Sequence, residues 1–155
     1  MCGIAGILCS DPMAPVDPAL LRRMLSVVRH RGPDGEGQHV AAGVGLGHRR
    51  LAIIDPAAGH QPMYDDETHN VIVYNGEVYN YLEIRNELES LGHRFHTNSD
   101  TEVILKAYAR WGVRCLDRFN GMWAFALWDA ERRELFLARD RLGIKPLHYC
   151  FHANR

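Results

Sequence analysis

The chain has 155 residues and a mass of 17.6 kDa, the size of one ordinary domain, which excludes a multi-domain machine. Hydrophobic residues at 46% and charged residues at 24% match average globular usage and exclude disordered, collagen-like and coiled-coil classes. With 18 Lys and Arg against 19 Asp and Glu and a formal net charge of -1, there is no basic excess to neutralise phosphates, so nucleic acid is not an expected partner.

Every apolar run is broken by Asp, Arg or Gly before the roughly 20 residues that a bilayer span needs, so no membrane association is expected. The opening Met1-Cys2-Gly3-Ile4 lacks the leading Lys or Arg of a signal peptide. Cys2, Cys9, Cys115 and Cys150 are too sparse for a disulfide scaffold and point to a reducing compartment, hence the cytoplasm.

Ile4 to Leu8 reads as a strand that ends in turn chemistry at Ser10-Asp11-Pro12. Asp17 as N-cap and Pro18 at the first helical position open a helix with Leu20, Leu21, Met24, Val27 and Val28 on one face. The breaker-rich run from Arg29 to Gly35 ends it. Val44 and Leu46 alternate with glycine, and Leu51 to Ile54 is a short buried-strand signal. Val71 to Tyr74 is expected as a strand closed by Asn75-Gly76.

Asn80 with Glu83 and Ser99 with Glu102 are spaced as capping boxes, each before a helical apolar pattern that stops at Gly92 or Gly112. Trp123 to Trp128 and Glu134 to Ala138 read as strands joined by a polar turn, and Pro146 to Phe151 as the start of another. Strands paired by short turns, with helices inserted between groups of them, predict an α+β layered domain.

Cys2 carries the sharpest chemical signal. Once Met1 is removed, the residue holds a thiol and an α-amine, and an amine with an ordinary pKa of ~7.7–8.0 is a competent base near neutrality. Nucleophile and base would then sit on one residue. Taken alone the signal is weak, since a Cys at position 2 is by default a small buried hydrophobe. Asn75-Gly76 reads as a type I′ hairpin turn or as two N–H donors at a strand end forming an oxyanion hole. The following Glu77-Val78-Tyr79-Asn80 moves toward a helix and tilts the choice to the second. Arg50 at a strand edge suits a carboxylate, and Asp100 at a helix start suits an ammonium, so together they could fix a free amino acid. Each also has a plain structural use, Arg50 in a surface ion pair and Asp100 at its helix dipole. His148, Cys150 and His152 alternate without an accompanying carboxylate or CxxC, so no metal is expected. No phosphate-cradling glycine loop is present.

Six blocks, in order, are Met1 to Ile7, His30 to Asp34, His48 to Asp55, Tyr74 to Asn80, Ser99 to Glu102 and Arg139 to Leu147. Together they closely resemble the class II glutamine amidotransferase domain of glutamine-hydrolysing asparagine synthetases, from residue 1 to about residue 150. The resemblance implies a four-layer αββα N-terminal nucleophile hydrolase sandwich of two antiparallel sheets between helices. Its last strands are expected beyond the end of this sequence, so that residues 1–155 form a C-terminally short glutaminase domain.

It further implies that Cys2 attacks the side-chain amide of L-glutamine, that its α-amine moves the proton, and that Asn75 and the Gly76 amide hold the oxyanion. Arg50, with Leu51 and Ile53 beside it, would bind the substrate α-carboxylate, and Asp100 with Glu77 and Gly76 its α-ammonium. The ATP-pyrophosphatase domain of the family, with its Ser-Gly-Gly-Leu-Asp-Ser type loop, is absent from the sequence. ATP and Mg are therefore expected on that missing part and no cofactor on this chain. The implied partner is a synthetase domain or subunit that accepts ammonia, with a homo-oligomer among the assemblies allowed. Rival readings are a glutaminase serving another acceptor and an inactive binding or regulatory remnant. His148, just after the Arg139 to Leu147 block, stands where the family more often has Tyr, and the tail from Phe151 loses the resemblance.

Overall fold

The two-residue period of strand side chains, read along each strand, decides which layer lies on which face. The computed structural model describes residues 1–52 and 59–152. Ile53, assigned to the substrate site by resemblance, and Ile54 of the same strand signal lie outside the described residues.

Among the described residues, β1 (Gly3–Leu8), β2 (Gly35–Ala41) and β3 (Val44–Arg50) form an antiparallel sheet in the order β1-β3-β2. A second antiparallel sheet, ordered β4-β5-β6-β7, contains β4 (Met63–Tyr64), β5 (Val71–Val78), β6 (Gly121–Asp129) and β7 (Glu134–Arg139). On β3, Val44 and Leu46 face the second sheet, where they meet Val71, Val73, Ala126 and Trp128. The alternate residues, Gly45 and Gly47, face α1 (Pro18–Val27). A Cβ on Gly47 would sit 2.8 Å from Leu25 Cδ1, so the helix rests directly on the strand backbone. Leu21 and Leu25 are fully buried there, each stabilising the packing by about 1.5–3 kcal/mol.

The other face of β5 carries Ile72, Tyr74 and Val78, which join Phe125 and Leu127 of β6 in a cluster with α2 (Tyr81–Ser90) and α3 (Asp100–Trp111). Ile84 and Leu88 of α2, and Val103, Ile104 and Ala107 of α3, complete it. The layer order is α1, three-stranded sheet, four-stranded sheet, α2 with α3. This is the αββα arrangement expected.

Asp17 caps α1 by accepting from Ala19 N at 2.8 Å, with Pro18 in the first turn, as read from the sequence. Several local readings change. Asn75-Gly76 is no hairpin turn: β5 runs on to Val78, with Asn75 opposite Ala124 and Gly76 opposite Trp123. β3 ends at Arg50, so Leu51 and Ala52 follow the strand instead of starting one. β2 escaped notice because Gly-Glu-Gly-Gln-His-Val-Ala has no apolar alternation, being an edge strand that is mostly half-buried or exposed. The run from Pro146 to Phe151 forms no strand, so His148, Cys150 and His152 share no strand face.

The Asn80–Glu83 capping box does not form. Asn80 donates instead to Arg118 O and accepts from Asn120 N, both at 2.9 Å, tying α2 to the approach to β6. The Ser99–Glu102 box forms by half. Ser99 Oγ accepts from Thr101 N at 3.2 Å, while Glu102 turns to Thr97 Oγ1 at 2.6 Å and to the N–H groups of His96 and Thr97. The second carboxylate thus fastens the loop before α3, whose last turn closes at Gly112 with φ +59°.

Candidate active site

Three strands deliver polar residues in phase. Gly3 pairs with Arg49 in the β1–β3 register, so the next step brings Cys2 opposite Arg50. On β3, Arg50 follows His48 and Leu46 at two-residue spacing, on the face turned to the second sheet. On β5, Asn75 and Glu77 continue the face of Val71 and Val73. The apolar inter-sheet layer therefore ends in Cys2, Arg50, Asn75 and Glu77.

A cavity opens at that end. It is lined by Cys2, Arg50, Leu51, Asn75, Gly76, Glu77 and Asp100, which is every candidate from the sequence within the described residues. The sulfur of Cys2 accepts from Leu51 N at 3.3 Å and lies 3.6 Å from Leu51 O. Arg31 Nε donates to Cys2 O at 3.0 Å. Arg31 lies in the His30 to Asp34 block, which the sequence left without a role. Asp34 of the same block accepts from Ala52 N at 2.9 Å, and its own N–H donates to Arg50 O at 3.0 Å. The block thus ties Cys2 and both neighbours of Leu51, the residue whose N–H meets the sulfur.

Gly76 is a steric requirement. A Cβ there would run into Met122 O and lie 2.7 Å from Trp123 Cα, so any side chain pushes β5 away from β6. The peptide before Asn75 is held from the opposite sheet by His48, whose Nε2 lies 3.1 Å from Tyr74 O. Burial drives the His48 pKa down to about 4, against that hydrogen bond and helped by the Arg50 charge. His48 is consequently neutral, with Nε2 protonated toward Tyr74 O and Nδ1 buried without a partner.

Asp100 is 4% exposed. Its Oδ2 accepts from Tyr74 Oη at 2.8 Å and from Val78 N at 3.0 Å. Burial raises its pKa, with the Glu77 charge adding to the rise, while the Val78 N–H and the Tyr74 hydroxyl pull it back. A cation placed against Asp100 would relieve this cost. Tyr74 is itself pushed well above the usual tyrosine value, by burial and then by the Asp100 charge.

Three other lining residues, Tyr74, Gln61 and Lys145, were given no chemistry in the sequence reading. Tyr74 was taken only as a strand residue. Gln61, in a Pro-rich loop, accepts from Tyr74 N through Oε1 at 2.6 Å and donates to Thr101 Oγ1 at 3.4 Å. Lys145 comes from the loop after β7, within a block that carried the resemblance but no assigned chemistry. That loop is organised by Asp140, whose carboxylate accepts from Ile144 N at 2.9 Å, Lys145 N at 3.0 Å and Trp123 N at 3.2 Å. Burial alone would raise Asp140, but these donors outweigh it and hold its pKa below the usual carboxylate value. Among the described residues, no group of three or more His, Cys, Asp or Glu side chains is placed to hold a metal ion. All four cysteines are free thiols, and no described helix is long and apolar enough to cross a membrane.

Comparison with known proteins adds independent information. Over 152 residues, 96% of this chain, the sequence is 44% identical to asparagine synthetase [glutamine-hydrolyzing] 1 of Bacillus subtilis, covering 24% of that protein. It is 41% identical over 151 residues, again 96% of this chain, to asparagine synthetase [glutamine-hydrolyzing] 2 of Oryza sativa subsp. japonica, covering 25% of that protein. The chain thus spans about a quarter of the length of the curated relatives it matches. Among solved structures, glutamine phosphoribosylpyrophosphate amidotransferase from B. subtilis, complexed with ADP and GMP, superposes with a TM-score of 0.76 at 22% identity. That match covers 94% of this chain and 38% of the other, and it shows that the two share a fold. The model of the glutamine amidotransferase domain family matches residues 1–155, and the chain belongs to that family.

Proposed function

We propose that the chain hydrolyses the side-chain amide of L-glutamine to glutamate and ammonia, as the glutaminase part of an asparagine synthetase-type enzyme. The observation that carries this reading is the convergence of Cys2, Arg50, Asn75, Gly76 and Asp100 on one cavity. After removal of Met1, the Cys2 α-amine takes the thiol proton and the sulfur attacks the amide carbon. The Asn75 side-chain amide and the Gly76 N–H receive the oxyanion. The amine then passes its proton to the departing nitrogen, which leaves as ammonia while a thioester remains. Water, deprotonated by the same amine, cleaves the thioester to glutamate and restores the thiol.

Arg50 reads the substrate α-carboxylate. Asp100, with Glu77 near it, reads the α-ammonium, so that binding energy far from the reacting amide orients it. Leu51 lends sulfur its N–H donor. The ammonia goes to a synthetase domain or subunit that activates aspartate with ATP, and the setting is the cytoplasm.

The test is glutamate release by Met1-free protein, with N-terminal processing verified by intact mass, against Cys2→Ala. The variant is expected to lose the activity entirely. Equal rates refute Cys2 as nucleophile, and full activity in protein that retains Met1 refutes the α-amine as base.

A further inference from the structure

Lys145 is a lysine out of place by the usual rules. It is 4% exposed and lines the Cys2 cavity, yet among the described residues its ammonium is within ion-pair distance of no carboxylate. Its Nζ instead donates to Met1 Sδ at 2.9 Å, a weak acceptor for a full charge. Burying an ammonium without a counter-ion costs several kcal/mol. The loop nevertheless fixes it there, because Asp140 grips Lys145 N and Ile144 N while Gly143, at φ +67°, makes the turn between them. The cation thus lies against the one residue whose removal exposes the α-amine of Cys2.

We propose that Lys145 is a positioning residue for the catalytic base, its fixed positive charge holding the Cys2 α-amine in the uncharged, proton-accepting form at neutral pH. The inference rests on the glutaminase reading above. An ordinary α-amine, with a pKa of ~7.7–8.0, is a competent base but is mostly protonated at pH 7, so a lower pKa enlarges the fraction able to accept a proton. A like charge within about 4–6 Å disfavours the protonated form by one or more pK units.

The other charged and titratable groups around the new N-terminus are Arg31, bonded to Cys2 O, and Arg50, Tyr74, Glu77 and Asp100, which line the cavity. Arg50 acts in the same direction as Lys145. Glu77 and Asp100 act in the opposite one. Lys145 is the group that touches the residue bonded to the Cys2 nitrogen. On this proposal, its ammonium faces the amine once Met1 has left.

The experiment compares Met1-free wild type with Lys145→Met, Lys145→Gln and Lys145→Arg by two readouts. One is the acid limb of kcat/KM for glutamine. The other is NMR titration of the 13C-dimethylated α-amine, which needs no turnover. Both neutral variants are expected to move the acid limb and the amine midpoint upward by about one pH unit, and Lys145→Arg to restore both. Neutral variants that melt cooperatively and leave the amine midpoint in place overturn the assignment, as does a rise in KM alone, which would move Lys145 to the substrate carboxylate. A wild type that hydrolyses no glutamine while its amine midpoint still responds to Lys145 refutes the glutaminase reading and leaves the electrostatic assignment standing.

Discussion

His48 makes the fold acid-sensitive in a defined window. It is fully buried between the sheets, spends its Nε2 proton on Tyr74 O, and has a pKa lowered from 6.5 to about 4 by burial. The unfolded chain therefore takes up the imidazole proton first as pH falls, while the folded state resists. The stabilisation is complete above pH 6.5 and is lost on descending toward pH 4. At 1.36 kcal/mol per pK unit, the gap is worth about 3 kcal/mol. For a chain of this size that corresponds to a fall in Tm of roughly 6–12 °C. Carboxylates titrate in the same range, so the informative quantity is the difference from His48→Gln, whose amide can still donate to Tyr74 O but carries no titration. Thermal melts of both proteins from pH 7.5 to pH 4 are expected to converge, with the wild type losing about 3 kcal/mol more than the variant. Parallel Tm curves refute a neutral buried imidazole.

Gly76→Ala places a Cβ against Met122 O and Trp123 Cα, both backbone atoms that cannot swing aside. It is expected to cost roughly 3 kcal/mol or more and to abolish glutamate release in whatever fraction folds, read by denaturant titration and activity on the same sample. A stable, active Gly76→Ala protein would show that β5 and β6 are less tightly apposed there. Tyr74→Phe removes the hydroxyl donor from Asp100 and with it one of the three bonds that restrain the rise in its pKa. Loss of about 1 kcal/mol is expected to raise KM for glutamine about fivefold with kcat little changed. The rise in KM on acidification should also begin at higher pH than in the wild type. An unchanged KM–pH profile would remove Asp100 from substrate binding.

The helices and the layered class were legible because their signals are local. Asp17-Pro18, Ser99, Gly92 and Gly112 mark ends, and apolar period marks faces. Asn75-Gly76 misled as to structure because the dipeptide's local preference for a turn is overridden by pairing with β6, a contact between residues far apart in the chain. The roles of Cys2, Arg50, Asn75 and Asp100 could be suspected from residue type and position in an element. Tyr74, Gln61 and Lys145 could not, since their relevance arises only where β5, the loop before β4 and the loop after β7 converge. Asn80 shows the same limit from the other side. Its spacing to Glu83 satisfies the capping rule, yet a tertiary partner at Arg118 and Asn120 takes the side chain.

The candidate site is a continuation of the core and not an addition to it. Along β3 the inward face runs Val44, Leu46, His48, Arg50, and along β5 it runs Val71, Val73, Asn75, Glu77, so that each strand passes from apolar to charged at the same level. Cys2 precedes Ile4, which packs into that same layer. Because strand side chains alternate, a one-residue slip of any of the three would turn its site residues out of the cavity and its core residues out of the interior together. The register that buries Leu46 against Val71 and Val73 is thus the register that brings Cys2, Arg50 and Asn75 to one cavity. Burial of His48 at the boundary follows from the same geometry. It is the last group on β3 that the inter-sheet layer covers completely, and it spends its one proton across the gap on the peptide that sets Asn75. Neutral His48 therefore couples the packing of the two sheets to the position of the oxyanion donor, and acid should loosen both at once.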